Sequence, residues 1–499
     1  MGLIIRQSLK ASISNYAGLV IGYINILILM PKVFQPSEVG ISRFVIDISG
    51  VLAGFASLGI AYSMSRFFPK FQDKKGSYHH GFTFWVYLIP ILGILLLSAV
   101  LLISGPSIIN LLKDGGSNTT NYIHIIIPLT VIMLFTVVTE QYCAQFGRIV
   151  VVNILRENGL RIINLLLILL AWKGILSFNQ FLIWLLVSYF LILIIDIIYL
   201  FKINPLSFIP DIEFIRNNKF IKNDFFAFSG IALLGSIGPL VITRSDYFSV
   251  SFEGGDKLLG IYSTAMSIAI MTELPKRVIL PLMQPVISKL MHDEKWIELK
   301  EVVNKGNINQ VLIGMFILLG LWFNADNIYS LMPNGEPYKS GKLVILILGV
   351  AKLIEMFSIL PGIVINNSHF YRWNLVVIAV WLFAIFVTYH LAVPLWGING
   401  TALGVLVGYI SFGVLNYIIV YKYYKINWLT FDWIKILLVF VAMLLVHQVV
   451  PHFQSVWLNI FVRSTSLIAL FMGLVFGLKL SEDLNNTALQ LIKGKFRWF

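Results

Sequence analysis

A single cysteine, Cys143, leaves this 499-residue chain without an internal disulfide. Its eight histidines form no HExxH and no Cys/His group with zinc spacing, so metal and redox chemistry are not indicated. No GxxxxGK followed by serine or threonine occurs, which argues against direct use of ATP. Charge is sparse, at 12% of residues, and acids are the rarer sign: 24 against 37 lysines and arginines. No polar stretch between apolar runs exceeds about 25 residues, too little for a separate soluble domain.

Apolar residues fill the chain instead. With 58% hydrophobic residues and a mean hydropathy of +0.85, the expected class is an all-α polytopic membrane protein. The net charge of +13 resides mostly in short loops, where it sets topology and meets anionic headgroups. A nucleic-acid partner is not expected.

A helix needs about 20 residues to cross a bilayer, and about 14 runs meet that length. They fall at 11–30, 41–67, 82–104, 123–141, 151–172, 176–201, 225–247, 258–282, 308–324, 342–365, 375–392, 398–421, 433–450 and 456–478. The fifth and eighth carry charges. The first run has no small-residue cleavage site and leads into a second, so it is expected to be a retained helix. Loops after even-numbered helices, with both termini, hold roughly three basic residues for each one opposite, which places both termini in the cytoplasm. Arg244 and Arg463 count among the opposite loops. The pair His79 and His80 reads as a solvated turn, and "KGKFRWF" at 493–499 as a tail on an anionic leaflet.

Six basic residues are left unassigned to loops: Arg43, Arg156, Arg161, Lys276, Arg277 and Lys352. A basic side chain at mid-bilayer costs about 2.5 to 3.5 kcal/mol on insertion scales, so each needs a partner, a wet cavity or the interface. Arg43 and Asp47 are four apart, as are Glu273 and Arg277, and Lys352 precedes Glu355 by three; each spacing puts opposite charges on one helix face. Such pairs either line a polar cavity that accepts an anion or merely neutralise each other. In "MTELPKRVILPLMQP", Pro281 and Pro285 suggest a kinked helix that holds Glu273 and its cations in the inner half. Asp196, in "LILIIDIIYL", has apolar neighbours on both sides; it either meets a partner from another helix or is protonated.

The chain also looks repeated. "FQPSEVGISRFV" opens the second span and "FEGGDKLLGIYSTA" the eighth, with Gly40 and Gly260 as matching positions. Six helices separate them, so the halves share one orientation, related by an axis along the membrane normal.

The stretch "VFQPSEVGISRFVIDISGVLAGFASLGIAYSMSRFFPKF" at 33–71 resembles the polysaccharide transporter family, the O-antigen and lipid-linked oligosaccharide flippases of the multidrug/oligosaccharidyl-lipid/polysaccharide (MOP) superfamily. "LLGIYSTAMSIAI" followed by "LMQPVISKL", and "PLWGINGTALGVLVGYI" at 394–410, are similar to its later helices. The resemblance implies two six-helix lobes around a central cavity plus two C-terminal helices. The expected boundaries are 1–203 for the N-terminal lobe, 204–224 for a cytoplasmic linker, 225–424 for the C-terminal lobe and 425–499 for helices 13 and 14 with a tail. It implies a flippase, not an enzyme, in the bacterial inner membrane.

The implied cargo is an undecaprenyl-pyrophosphate-linked oligosaccharide, with polymerase and glycosyltransferases of the same pathway as further partners. Arg43, Arg244, Lys276, Arg277 and Lys352 are the candidates for the diphosphate, since guanidinium and ammonium groups bind phosphate oxygens. Tyr62, Tyr247, Tyr262 and Trp381 are candidates for stacking on sugars. Asp47, Asp196, Asp246, Glu273 and Glu355 could carry a coupling proton or sodium ion; no other cofactor is expected. Two rivals are a multidrug exporter of the same superfamily, whose often cationic cargo favours unpaired acids, and a glycan polymerase or ligase. The latter generally needs a large outer loop, and the longest here is "FNADNIYSLMPNGEPYKSG".

Overall fold

The computed structural model describes residues 18–71, 80–114, 118–203, 209, 211, 214, 238–451 and 453–481. These are helical, without a strand among the described residues. Eleven helices are long and apolar enough to cross a membrane, and each answers to one expected span. The chain is an integral membrane protein of the all-α, many-spanned class.

Three expected spans differ. The run 11–30 is described only from residue 18, as the apolar helix Gly18–Val33. The charged run 151–172 is not one α-helix: Ile149–Ile154 passes through a π-turn, Leu155–Gly159, into Leu160–Trp172. That turn is the sequence LRENG, so the charges sit where the bond ladder is interrupted. Most of 225–247 lies outside the described residues, as do most of the expected linker 204–224, the tail 493–499 and His79.

Two helix boundaries have a backbone cause. The second span begins at Pro36, whose missing N–H costs nothing at a first helical position, while Glu38 Oε2 accepts from the Gln35 amide at 2.9 Å. Pro36–Ala56 ends before Gly59, which is left-handed at φ 75°, and the chain resumes as Ile60–Phe71. The long helix Ser245–Ala269 is interrupted at Gly255, φ 64°. Arg244, expected in an outer loop, lies in the two-residue turn just before this helix, eleven residues ahead of the break. Arg463 was also expected in an outer loop; it lies within the helix Val456–Gly477 and is buried.

The chain divides into two compact units, Met1–Ser263 and Thr264–Phe499. In the first, Phe67, Phe68, Phe71, Phe82, Tyr142 and Cys143 anchor a buried cluster. His80 leads into it: its ring stacks on Phe214 at 3.9 Å and its Nδ1 lies 2.8 Å from Asp211. That contact, with the Phe214 amide, holds the Asp211 carboxyl below its ordinary range. In the second unit, the Ile398–Tyr424 helix turns glycines toward its neighbour. A Cβ on Gly400 would stand 2.3 Å from the Ala392 carbonyl, and one on Gly408 2.7 Å from Trp381 Nε1. Lipid competes for apolar surface, so close packing of this kind replaces the hydrophobic drive of a water-soluble core.

Candidate functional site

The sequence candidates gather into two groups, one in each unit, and Asp196 stands apart from both.

The group in the second unit starts from a backbone break. Pro275 has no N–H and its ring disfavours α geometry just before it, so the Ser245–Ala269 helix tightens into a 3-10 turn, Ile270–Glu273, and restarts as Leu274–His292. The 3-10 turn is at residues 270–273, and Pro281 and Pro285 lie inside the helix that follows it. Gly314 on the Trp296–Phe323 helix makes room for the turn, since a Cβ there would lie 3.0 Å from the Thr272 carbonyl and 2.3 Å from Met356 Cε.

The turn delivers Glu273 and Lys276 against Lys352 and Glu355 of the Lys342–Asn366 helix. Lys276 Nζ is 2.9 Å from Glu273 and 2.6 Å from Glu355; Lys352 Nζ is 3.2 Å from Glu273 and 2.8 Å from Glu355. Two cations and two carboxylates alternate in a closed square whose side chains are only 11 to 14% exposed. Arg277 adds a third cation, 3.2 Å from Glu273, and is 43% exposed. The group therefore carries one surplus positive charge, on its most accessible member. Tyr409 bounds it, with its hydroxyl 3.4 Å from Lys352 Nζ and its ring 5.1 Å from that of Trp381. Next to Glu355, the Met356 carbonyl accepts from buried Gln310 at 2.6 Å.

In the first unit, Asp47 pairs with Arg244 at 3.0 Å. The expected same-helix neighbour, Arg43, is half-buried one turn away. Asp246 is buried and accepts from the Tyr262 hydroxyl at 2.9 Å, while the Tyr247 and Tyr262 rings meet edge to face at 6.2 Å. Arg244 lies over the Tyr247 ring at 5.8 Å. The rings of Tyr247, Tyr262 and Trp381 are covered by protein here, so stacking on sugars would require their helices to part. The side chain of Tyr62 lies outside the described residues.

Helical spacing foresaw Glu273 with Arg277 and Lys352 with Glu355. It missed Lys276 with Glu355, Arg244 with Asp47, and Tyr409 altogether. The available signal for Tyr409 was weak: a hydroxyl-bearing ring in the glycine-rich "GVLVGYI".

No family model matches the chain. It is 26% identical over 168 residues to a capsular polysaccharide biosynthesis protein, CapF, of Staphylococcus aureus, a match covering 34% of this chain and 42% of the relative. The match thus spans less than half the length of that curated relative. Among solved structures the chain is similar to the lipid II flippase MurJ in an inward closed conformation, with a TM-score of 0.72 at 13% identity, covering 94% of this chain and 99% of that one. It is also similar to an inward-facing multidrug resistance MATE family transporter of the MOP superfamily, with a TM-score of 0.58 at 14% identity, covering 81% and 96%. The chain shares the fold of this flippase and this transporter.

Proposed function

We propose that the chain is a flippase for an undecaprenyl-pyrophosphate-linked oligosaccharide, such as a repeat unit of O-antigen or another surface polysaccharide, in the bacterial inner membrane with both termini cytoplasmic. The observation that carries this reading is the surplus cation Arg277 beside a charge-matched square. Lys276 and Lys352 already have carboxylate partners, so an arriving diphosphate finds its free guanidinium donors on Arg277, where bidentate hydrogen bonding suits phosphate oxygens. Lys276 and Lys352 stand behind it, and Arg244 and Arg43 form the corresponding group in the first unit.

A diphosphate bearing a glycan cannot enter hydrocarbon unaided, whereas its polyprenyl tail stays in lipid. A buried polar group that offers cations lowers that barrier. The partial match to a capsular polysaccharide protein and the fuller structural coverage by a lipid flippase than by a multidrug transporter support the same reading. Coupling to a proton or sodium ion would drive the cycle, and polymerase and glycosyltransferases of the same pathway would be its neighbours.

The test is transfer of a fluorescent undecaprenyl-pyrophosphate oligosaccharide between the leaflets of liposomes containing the purified protein. Protein-dependent transfer that falls when Arg277 becomes glutamine supports the reading. Transfer no faster than in empty liposomes, together with extrusion of a fluorescent organic cation, would replace it with the multidrug reading.

A further inference from the structure

The first unit also holds three carboxyls and two guanidiniums together, of which Glu140 and Asp196 are buried while Arg156, Glu157 and Arg161 are partly exposed. Arg156, in the π-turn Leu155–Gly159, reaches Glu140 of the Ile123–Gln145 helix at 2.5 Å and Glu157 at 3.6 Å. Arg161 closes on Glu157 at 2.7 Å. The third carboxyl is Asp196, on the Phe178–Ile203 helix, in the electrostatic field of Arg156. Asp196 has no exposed surface, and neither of its oxygens has a hydrogen-bond partner among the described residues. Its field reaches Glu140 and, three residues on, Cys143 of the Ile123–Gln145 helix, which packs against Phe178–Ile203. Glu140 Oε1 is likewise buried without a hydrogen-bond partner among the described residues.

Among the described residues these three carboxyls meet two cations, and the carboxyl left without a paired cation is Asp196. A carboxylate buried without a partner is strongly disfavoured in a low-dielectric interior and is relieved by taking up a proton. A metal cation fits poorly: hard cations take about six oxygens, and here the guanidinium of Arg156 already holds the cation position at Glu140. A proton needs one oxygen.

The backbone supplies an independent sign. A second π-turn, Asn25–Leu29, lies against the Leu160–Trp172 helix, with Asn25 Nδ2 donating to the Arg161 carbonyl at 2.9 Å. Interrupted helices of this kind recur where a side chain must be re-aimed at a functional centre.

We propose that Asp196, with Glu140 and Arg156, is a proton-binding site that holds one proton in this conformation. Release breaks the Asp196 O–H bond, passes the proton to water when the helices around it admit water, and leaves the carboxylate charged. The proposal rests on the flippase reading only for what the proton drives; the site itself is read independently of transport.

The experiment is infrared difference spectroscopy on the purified full chain at neutral pH, with potassium as the only metal cation. A protonated-carboxyl band is expected that is lost in Asp196→Asn and kept in Asp246→Asn. Removing one more cation with Arg156→Gln deepens the shortage from one to two, so that band is expected to grow as Glu140 also protonates. The second variant decides the matter if Asp196→Asn does not fold. A band unchanged in both variants, or displaced by added sodium in the native chain, would overturn the site. A band that behaves as expected in a protein that moves no polyprenyl lipid supports the site while removing the flippase reading.

Discussion

Gly40 and Gly260 meet backbone to backbone. A Cβ on Gly260 would stand 1.7 Å from the Pro36 carbonyl oxygen, and one on Gly40 would stand 2.3 Å from that of Asp256 and 2.6 Å from the Gly260 nitrogen. The first turn of Pro36–Ala56 thus lies against the stretch after the Gly255 break. Asp256 holds that stretch from the other side by accepting from the Asn118 amide at 2.8 Å. The two glycines singled out by local sequence similarity are therefore also partners in contact.

Neither position has room for a methyl group, and rigid backbone cannot yield as a side-chain tip does. Gly260→Ala is expected to destabilise the protein by about 1 to 3 kcal/mol, the usual range for overpacking, with Gly40→Ala somewhat less. Thermal unfolding of the purified variants in detergent measures this; a midpoint equal to that of the native chain would show the helices free to separate.

Within the charge square, removing one partner leaves another charge buried and unmatched. Glu355→Gln is expected to cost about 3 to 5 kcal/mol. Exchanging Lys352 and Glu355 keeps the alternation along the helix but breaks it against Glu273 and Lys276, so the double exchange should recover little. Recovery of the native midpoint would mean that the square contributes through neutrality alone.

Arg277 should behave in the opposite way. Its guanidinium is 43% exposed, and Glu273 keeps Lys276 and Lys352 as partners without it, so the pair contributes about 0 to 1 kcal/mol. Arg277→Gln is therefore expected to leave the unfolding midpoint nearly unchanged. Loss of a charged hydrogen bond to phosphate, about 1.5 to 3 kcal/mol, should slow lipid transfer roughly tenfold or more. Undiminished transfer at normal protein levels takes Arg277 out of the mechanism.

Arg463 is a structural cation. Its Nε donates to Asn459 Oδ1 at 3.1 Å and its Nη1 to the Phe323 carbonyl at 2.8 Å, and Asn459 passes the network on to Asn327 at 3.0 Å. It ties Val456–Gly477 to the end of Trp296–Phe323. Arg463→Ala should cost about 3 kcal/mol because buried acceptors lose a charged donor. The midpoint should fall while the rate of transfer per folded molecule holds; a variant that is stable but inactive would contradict this assignment.

Hydropathy alone made most of the helices legible, because a bilayer demands long apolar runs whatever their neighbours. It failed where the chain breaks its own ladder: LRENG became a π-turn, Gly255 interrupted a helix, and a 3-10 turn stands just before Pro275. Charge pairs three or four residues apart could be read directly, since helix geometry sets them. Arg244 with Asp47 and Lys276 with Glu355 could not, because spacing along one helix says nothing about which other helix lies opposite. Arg463 looked like a loop residue for the same reason: its acceptors belong to a distant segment.

The burial of Cys143, the chain's sole thiol, has a practical reach. A membrane-impermeant maleimide added to intact cells should leave the native protein unlabelled, so the unaltered chain serves as its own blank. Lys74→Cys and Lys339→Cys would then report, one position at a time, which side of the bilayer each faces.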